Sequence, residues 1–459
     1  MSIRQEPAKL AVSPRVKTFD EVYGTLPPHQ AMAESARCLF CHDAPCGAAC
    51  PAGIDVAAFI RNLKVRNFPG AARKIRERNV LAAVCGHVCP AEQFCEAACS
   101  RTRLAQPINI KALHRFAVEF EPGRGLKPPE MAASRRGAVA VIGSGPAGLA
   151  GAAELSRQGY RVTLFERRAA PGGVLLHGIP RHKLPENVAR ADIDYIAGLG
   201  VGFELNSPVT TPSAVSRLFG VGYGAVLVAI GLSEAGVLAV PGEHLAGVYG
   251  WPEVLAGPGT NRPELGRRVA VIGGGNVAID VATSAVRLGA KEVHLICLES
   301  LPDMPAFPSE VQDAAAEGVI IHPLRRVASI IGGDDGRVRR VESTGITCQQ
   351  AGDYSPDKVC PVPGSDLAIE VDTVVRAIGQ SLDRANNPFL SALAVAGGRV
   401  VVDPETGQTS RPGIFCAGDA VRARGTVVQA VADGVKAARG IIKYLSTGEP
   451  VKKVEVPGT

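Results

Sequence analysis

The chain has 459 residues, 46% of them hydrophobic and 20% charged, which implies two to four domains with ample core and excludes a disordered protein. Net charge is +6 and aromatics are only 5%, with no basic stripe interleaved among them, so nucleic acid is not an expected partner. No apolar run approaches the ~18 residues that span a bilayer, and the N-terminus lacks the apolar stretch of a secretory signal; we expect no membrane partner and a cytoplasmic protein, where clustered cysteines indicate metal before disulfide.

Residues 1–130 read mainly as helices, with Val56, Phe59, Ile60 and Leu63 at helical spacing and the habit repeated around Ala71, Ile75 and Val80. Eight of the twelve cysteines fall here. They form two runs: Cys38-x2-Cys41-x4-Cys46-x3-Cys50-Pro51 and Cys85-x3-Cys89-Pro90-x4-Cys95-x3-Cys99. Such spacing brings several thiolates to one inorganic cluster. A structural zinc fits Cys38 and Cys41, but the remaining thiols exceed what one zinc needs. Residues 101–136 hold eight Lys/Arg against three Glu, either a solvated basic linker or cations that steer an electron-transfer partner. Residues 121–137 carry Pro, Gly and charge and read as a linker.

Next comes a buried strand at 138–143 that runs into Gly143-Ser144-Gly145-Pro146-Ala147-Gly148 and an Ala/Leu-rich helix. Gly143 permits the tight turn, Gly145 lets the backbone approach a pyrophosphate, and Gly148 lets helix and strand pack closely. Glu166 ends the second strand, where an acid bonds a ribose hydroxyl. The pattern recurs at 267–273 with Gly273-Gly274-Gly275-Asn276-Val277-Ala278, and its second strand ends at Glu299. An acid there accepts from a free 2′-hydroxyl and repels a 2′-phosphate, which favours NAD(H) over NADP(H); the alternative is a phosphate site at Arg325 or Arg326. The alternating strands and helices imply parallel sheets. Segments 226–231 and 374–379 read as crossings between two nucleotide units. An apolar strand ends at Gly418-Asp419, where the acid would contact a flavin's ribityl and phosphate region.

Together RCLFCHDAPCGAACP, AVCGHVCPAEQFCEAAC, PINIKALHRF, VIGSGPAGL, PGGVLLHGIPRHKLP and IFCAGD resemble one family. It comprises the glutamate synthase small (beta) chain, the N-terminal half of eukaryotic dihydropyrimidine dehydrogenase, and the bacterial NAD-dependent dihydropyrimidine dehydrogenase electron-input subunit. The resemblance implies an α/β protein: two Rossmann-like dinucleotide-binding domains, for FAD and an inserted NAD(P), preceded by an α-helical iron–sulfur domain. Expected boundaries are 1–130 for the cluster domain, 137–254 and 384–448 for the FAD domain, 255–383 for the NAD(P) domain, and 449–459 for a tail. The resemblance also implies two [4Fe-4S] clusters with interleaved ligands. Cys38, Cys41, Cys46 and Cys99 would hold one. Cys50, Cys89 and Cys95 would hold three corners of the other, with His114 where the pyrimidine enzymes place Gln; Cys85 is the alternative fourth ligand.

Expected cofactors are FAD, two [4Fe-4S] clusters and NAD(H), with NADP(H) the other nicotinamide. Lys183 is the candidate catalytic residue beside flavin N5, within a glycine-bearing stretch that includes Gly173. Gln429 would bring a helix N-terminus to the flavin, and Asn276 and Asp280 would aim the nicotinamide. Each charged or polar residue has the plain alternative of a solvated turn or helix start. The expected function is electron transfer between NAD(P)H and a separate catalytic subunit or a ferredoxin-like carrier, in a hetero-oligomer. A stand-alone NADH:ferredoxin oxidoreductase and a nucleotide-binding sensor without turnover are the rivals.

Overall fold

The computed structural model describes residues 3–120, 128–129, 136–256, 262–350, 352–355, 357–422 and 425–447. Most of the expected linker and all of the expected tail lie outside the described residues.

The N-terminal part is helical: α1 (Val12–Arg15), α2 (Pro28–Ala36), α3 (Pro45–Ala48), α4 (Val56–Lys64), α5 (Phe68–Arg76), α6 (Ala82–Val88) and α7 (Ile110–Glu119). Asp55, Asn67 and Asn109 start α4, α5 and α7 by accepting from the amides of Ala58, Gly70 and Ala112. Val56, Phe59, Ile60 and Leu63 are all buried, as their spacing predicts. They join Ile75, Leu113 and Phe116 in a core that also takes in Cys95 and Cys99, with Cys38, Cys46 and Cys50 at its edge.

A first α/β unit follows as β1 (Ala138–Ile142), α8 (Pro146–Arg157), β2 (Arg161–Phe165), α9 (Val174–His177), α10 (Glu186–Ala197), β3 (Gly202–Glu204), α11 (Pro212–Gly220) and β4 (Tyr223–Val228). The chain leaves through β5 (Glu234–Ala235) and builds a second unit from β6 (Val248–Gly250), α12 (Trp251–Leu255), β7 (Arg268–Ile272), α13 (Asn276–Arg287), β8 (Glu292–Ile296), α14 (Pro308–Ala316) and β9 (Val319–His322). An antiparallel sheet of β10 (Arg325–Gly332), β11 (Val338–Cys348), β12 (Val359–Pro361) and β13 (Leu367–Glu370) precedes β14 (Thr373–Arg376). The chain returns through β15 (Gln380–Ser381), the ribbon β16 (Val395–Ala396) and β17 (Arg399–Val400), β18 (Ile414–Cys416) and α15 (Val427–Thr447).

Both nucleotide sheets are parallel, in the orders β18-β4-β1-β2-β3 and β6-β14-β7-β8-β9. In each, the glycine loop follows the central strand, where the order reverses and a crevice opens at the strand ends. The two passages between units lie side by side, since β5 pairs antiparallel with β15. The expected boundary after residue 254 moves: β6 pairs with β14, so residues 248–255 belong to the second unit. A three-residue strand is too short to display its own period, and only pairing reveals its sheet.

The helical module meets the first unit through a shared apolar cluster that includes Val80, Leu81 and Val84, and through one buried carboxylate. Asp192 on α10 is fully buried; it accepts from the Val84 amide in the first turn of α6 at 2.9 Å and pairs with Arg76 at 3.0 Å. A carboxylate there satisfies a helix-start amide and complements the helix dipole. Asp192→Ala would take the carboxylate partner from Arg76 and the acceptor from that amide. We expect a loss of about 3 kcal/mol, from the cost of breaking a buried pair, read as a lowered denaturation midpoint; an unchanged midpoint would show that the joint does not depend on Asp192.

Candidate functional site

One cavity of about 1200 Å³ runs through the molecule. Its lining includes Cys89, Pro90 and Lys111 of the helical module, Gly143–Ala147, Glu166, Gly173, Lys183, Gly418 and Asp419 of the first unit, and Asn276, Asp280 and Glu310 of the second.

The first glycine loop has the geometry a dinucleotide needs. Gly143 lies at φ 98°, and a Cβ there would sit 2.5 Å from the Ala229 carbonyl oxygen. A Cβ on Gly148 would strike the Gly143 carbonyl, so this glycine serves helix–strand packing. Gly145 faces open space, the approach a pyrophosphate requires. Gly173, at φ 53°, comes so close to Gly145 that a Cβ would lie 2.8 Å from its Cα. Glu166 is buried at the end of β2 and accepts from the Ser144 amide at 3.1 Å, from the Ser144 hydroxyl, and from the Arg168 amide at 2.9 Å. Ser144 also accepts from Gly172 at 2.9 Å, so it ties three segments of the cradle together. Its role was open to inference only from its place inside the fingerprint. Asp419 lines the cavity and is raised above the usual carboxylate range, chiefly by burial. Gln429 is turned elsewhere: its side-chain oxygen accepts from the Thr426 amide at 3.1 Å and hydroxyl at 3.0 Å, at the start of α15.

The second loop repeats the first. Gly273 lies at φ 137°, with a Cβ 2.5 Å from the Ala377 carbonyl oxygen, while Gly275 faces open space and Ala278 is fully buried. Glu299 reaches back over this loop, its Oε2 2.5 Å from where a Gly274 Cβ would stand. Arg325 is turned away, donating to the carbonyls of Ser343 at 3.3 Å and Ser365 at 3.0 Å. Asn276 accepts from the Phe307 amide at 2.8 Å and so positions the loop before α14.

Lys183 joins the two units. Its ammonium lies 2.5 Å from Asp280 and 2.8 Å from Glu310. Burial alone would lower its pKa, but the two carboxylates raise it. Burial raises Asp280 to about 6, against the pull of Lys183. Glu310 gave no signal in the sequence, because α14 reaches the site only through the fold.

Cysteines of the two runs meet in the helical module. Cys38, Cys41, Cys46 and Cys99 line one small pocket, closed by Ile60, Ile108 and Ile110. Burial drives Cys46 up to about 11, with Cys99 and Cys38 adding to it. Burial also drives Cys89 up to about 12, while Cys95 and Cys85 rise as well. Such thiols become thiolates only when metal charge displaces the proton. No three His, Cys, Asp or Glu side chains among the described residues form a group that could hold a metal ion. The shared pocket and all-thiol donor set suit a multi-iron cluster. His114 is buried on α7, its Nε2–H donating to the Ala82 carbonyl at 2.8 Å, and burial pushes its pKa down to about 4. That bond fixes the neutral tautomer and leaves Nδ1 as the lone-pair donor. Cys85, fully buried, is in electrostatic reach of Cys89 and Cys50.

The N-terminal arm, unread in the sequence, straps the cluster module to the second unit. Lys9 pairs with Asp313 on α14, and the Tyr23 hydroxyl donates to the same carboxylate at 2.7 Å. Arg15 is 1% exposed and lies 3.1 Å from Glu317, which also takes Arg287 at 3.0 Å.

Residues 137–434 match the family model for pyridine nucleotide-disulphide oxidoreductases. The chain belongs to this family. Residues 15–125 match the model for dihydropyrimidine dehydrogenase domain II with its 4Fe-4S cluster. The chain is 36% identical to the NAD-dependent dihydropyrimidine dehydrogenase subunit PreT of Escherichia coli, covering 94% of this chain and 98% of that one. It is 38% identical to the NADP(+)-dependent formate dehydrogenase subunit beta of Moorella thermoacetica, covering 90% of this chain but only 61% of that one. FprA of Mycobacterium tuberculosis, solved with NADPH, superposes with a TM-score of 0.55 over 68% of this chain and 86% of its own, at 19% identity, a likeness of fold. As a member of this pyridine nucleotide-disulphide oxidoreductase family the chain is an NAD(P)H oxidoreductase of flavoprotein fold with an iron–sulfur domain. No described helix is long and apolar enough to cross a membrane.

Lys183→Met would strip both carboxylates of their counter-ion. Asp280 is raised in the fold, so its contribution to stability is present at low pH and falls as pH rises through about 6. The pairing with Lys183 persists to alkaline pH, because the lysine is raised too. We therefore expect Lys183→Met to cost about 3 kcal/mol at alkaline pH and less near pH 5, where the Asp280 carboxyl holds a proton. Thermal midpoints at the two pH values read this directly; an equal shift at both would show that the trio is not coupled.

Proposed function

We propose that this chain is the electron-input subunit of a larger enzyme, drawing on NADH and delivering single electrons to a separate catalytic partner in a cytoplasmic hetero-oligomer. The observation that carries the reading is the shared cavity, whose lining takes in Cys89 of the helical module, the first glycine loop, and Asn276 and Asp280 of the second unit. When bound, FAD supplies the conversion between a two-electron hydride donor and one-electron carriers, and the iron–sulfur clusters supply their path.

The residues divide the work. Gly143 and Gly145, with the start of α8, would cradle the flavin's pyrophosphate; Glu166 would face its ribose, and Asp419 its ribityl and phosphate region. Gly173 keeps the backbone close to the loop, and Lys183 would supply a fixed cation beside the flavin ring. Gly273, Gly275, Asn276 and Ala278 would hold the nicotinamide cofactor, and Glu299 would accept from its 2′-hydroxyl. The placement of Glu299 over the loop and of Arg325 away from it supports NAD(H). Cys50, Cys89, Cys95 and His114 would hold the inner of two [4Fe-4S] clusters, and Cys38, Cys41, Cys46 and Cys99 the outer. The PreT and formate dehydrogenase relatives are themselves named as subunits, which supports a catalytic partner.

Two variants test the assignments. Glu299→Arg is expected to move the ratio of kcat/KM for NADPH over NADH upward by about tenfold or more; no change would place the 2′ site elsewhere. His114→Ala is expected to lose about half of the bound iron while Cys85→Ala keeps it, measured by iron analysis and absorbance near 400 nm. The reverse outcome would make Cys85 the ligand.

A further inference from the structure

The turn that carries Cys38 and Cys41 also carries an exposed Leu39 and a half-buried Phe40 that packs against the helical core. Leu39 is 46% exposed and lines the thiol pocket. Phe40 stands in the left-handed region at φ 49°, which a bulky side chain adopts only when held there. The Arg61 guanidinium and Lys64 ammonium lie 5.7 Å and 4.8 Å from its ring centroid. Both cations are exposed at the end of α4, and neither has a carboxylate partner among the described residues. Arg101 borders the same pocket, bonded only through one nitrogen to the Arg37 carbonyl at 3.0 Å. Elsewhere on the surface, Arg339 pairs with Asp335 and Arg340 with Glu342. Beside the thiol pocket, then, apolar side chains stand with cations that have no carboxylate partner among the described residues.

We propose that this face docks an acidic one-electron carrier protein, whose carboxylates meet Arg61, Lys64 and Arg101 and whose redox centre comes against Leu39 and Phe40. The proposal rests on the reading in which Cys38, Cys41, Cys46 and Cys99 hold the outer cluster. One NADH yields NAD⁺, one proton and two electrons, so two carriers are reduced by one electron each. A carrier that leaves after every electron needs a contact that forms quickly and stays weak. Rim charge around a small apolar centre provides that, since it raises the rate of encounter more than the final affinity.

The test uses the full-length protein with its cofactors and an oxidised plant-type [2Fe-2S] ferredoxin as the acidic probe. Its Kd is measured at about 0.02 M and 0.2 M salt, which straddle strong and weak screening. R61E/K64E is expected to raise Kd by about tenfold or more at the lower salt, and R339E/R340E to leave it unchanged. Wild-type binding should weaken at the higher salt. Equal binding by both variants, salt-insensitive binding, or no binding overturns the proposal. Iron content and NADH oxidation by neutral benzoquinone are followed alongside, and both should match wild type in each variant. If wild type itself fails to oxidise NADH, the electron-input reading falls, and that failure is visible apart from the binding comparison.

Discussion

Asp192 is the contact on which the electron path depends. The helical module has a core of its own around Phe59, Leu63 and Phe116, but its Val80, Leu81 and Val84 also pack into the apolar cluster of the first unit with Val139 and Leu149. What brings Cys89 to the edge of the flavin cradle is the placement of α6, and α6 is held at its first turn by a carboxylate from α10. Cys89 follows that helix directly, five residues after Val84. A shift of α6 by one turn would move the thiol by about 5 Å, enough to take it off the cavity. A buried carboxylate with two specific donors permits only one docking, whereas an apolar patch tolerates sliding. The interaction therefore bears on register as much as on stability.

The second unit is held by charge in a similar way, but from two sides. Lys183 reaches from the first unit to Asp280 and Glu310, and the N-terminal arm reaches Asp313 and Glu317 with Lys9 and Arg15. Glu310, Asp313 and Glu317 all lie on or just after α14, on successive turns. That helix is thus the common handle by which cluster module, first unit and second unit are kept in one arrangement. In the nicotinamide site this matters for chemistry, because effective catalysis of transfer between two bound cofactors rests on their approach and orientation.

Much of this was legible in the sequence, for definite reasons. The glycine loops could be read because each glycine answers a local need: a positive φ at Gly143, a steric clash at Gly148, open approach at Gly145. Cysteine spacing could be read because four thiols must meet one pocket. The features missed are of another kind. Residues 248–255 joined the second unit through one short strand pairing. Asp192, Glu310 and the arm act on partners about a hundred to three hundred residues away, and no local pattern announces such contacts. The Gln429 side chain is taken by the nearby Thr426, while Thr426 and Val427 bring the start of α15 to the cavity.

The family's name includes a disulphide, and the remaining cysteines show why this chain needs a different exit. Cys416 is buried in β18 and Cys297 just after β8, in the cores of different units, and burial raises both to about 12. Neither lines the central cavity; among the described cysteines that cavity is lined by Cys89 alone. A dithiol beside the flavin requires two thiols within bonding reach and a lowered pKa, and neither condition is met. The thiol that does border the cavity belongs to the helical module, where its neighbours are other cysteines rather than a disulfide partner. The iron–sulfur domain that accompanies this fold lies in the N-terminal module, where eight of the twelve cysteines fall.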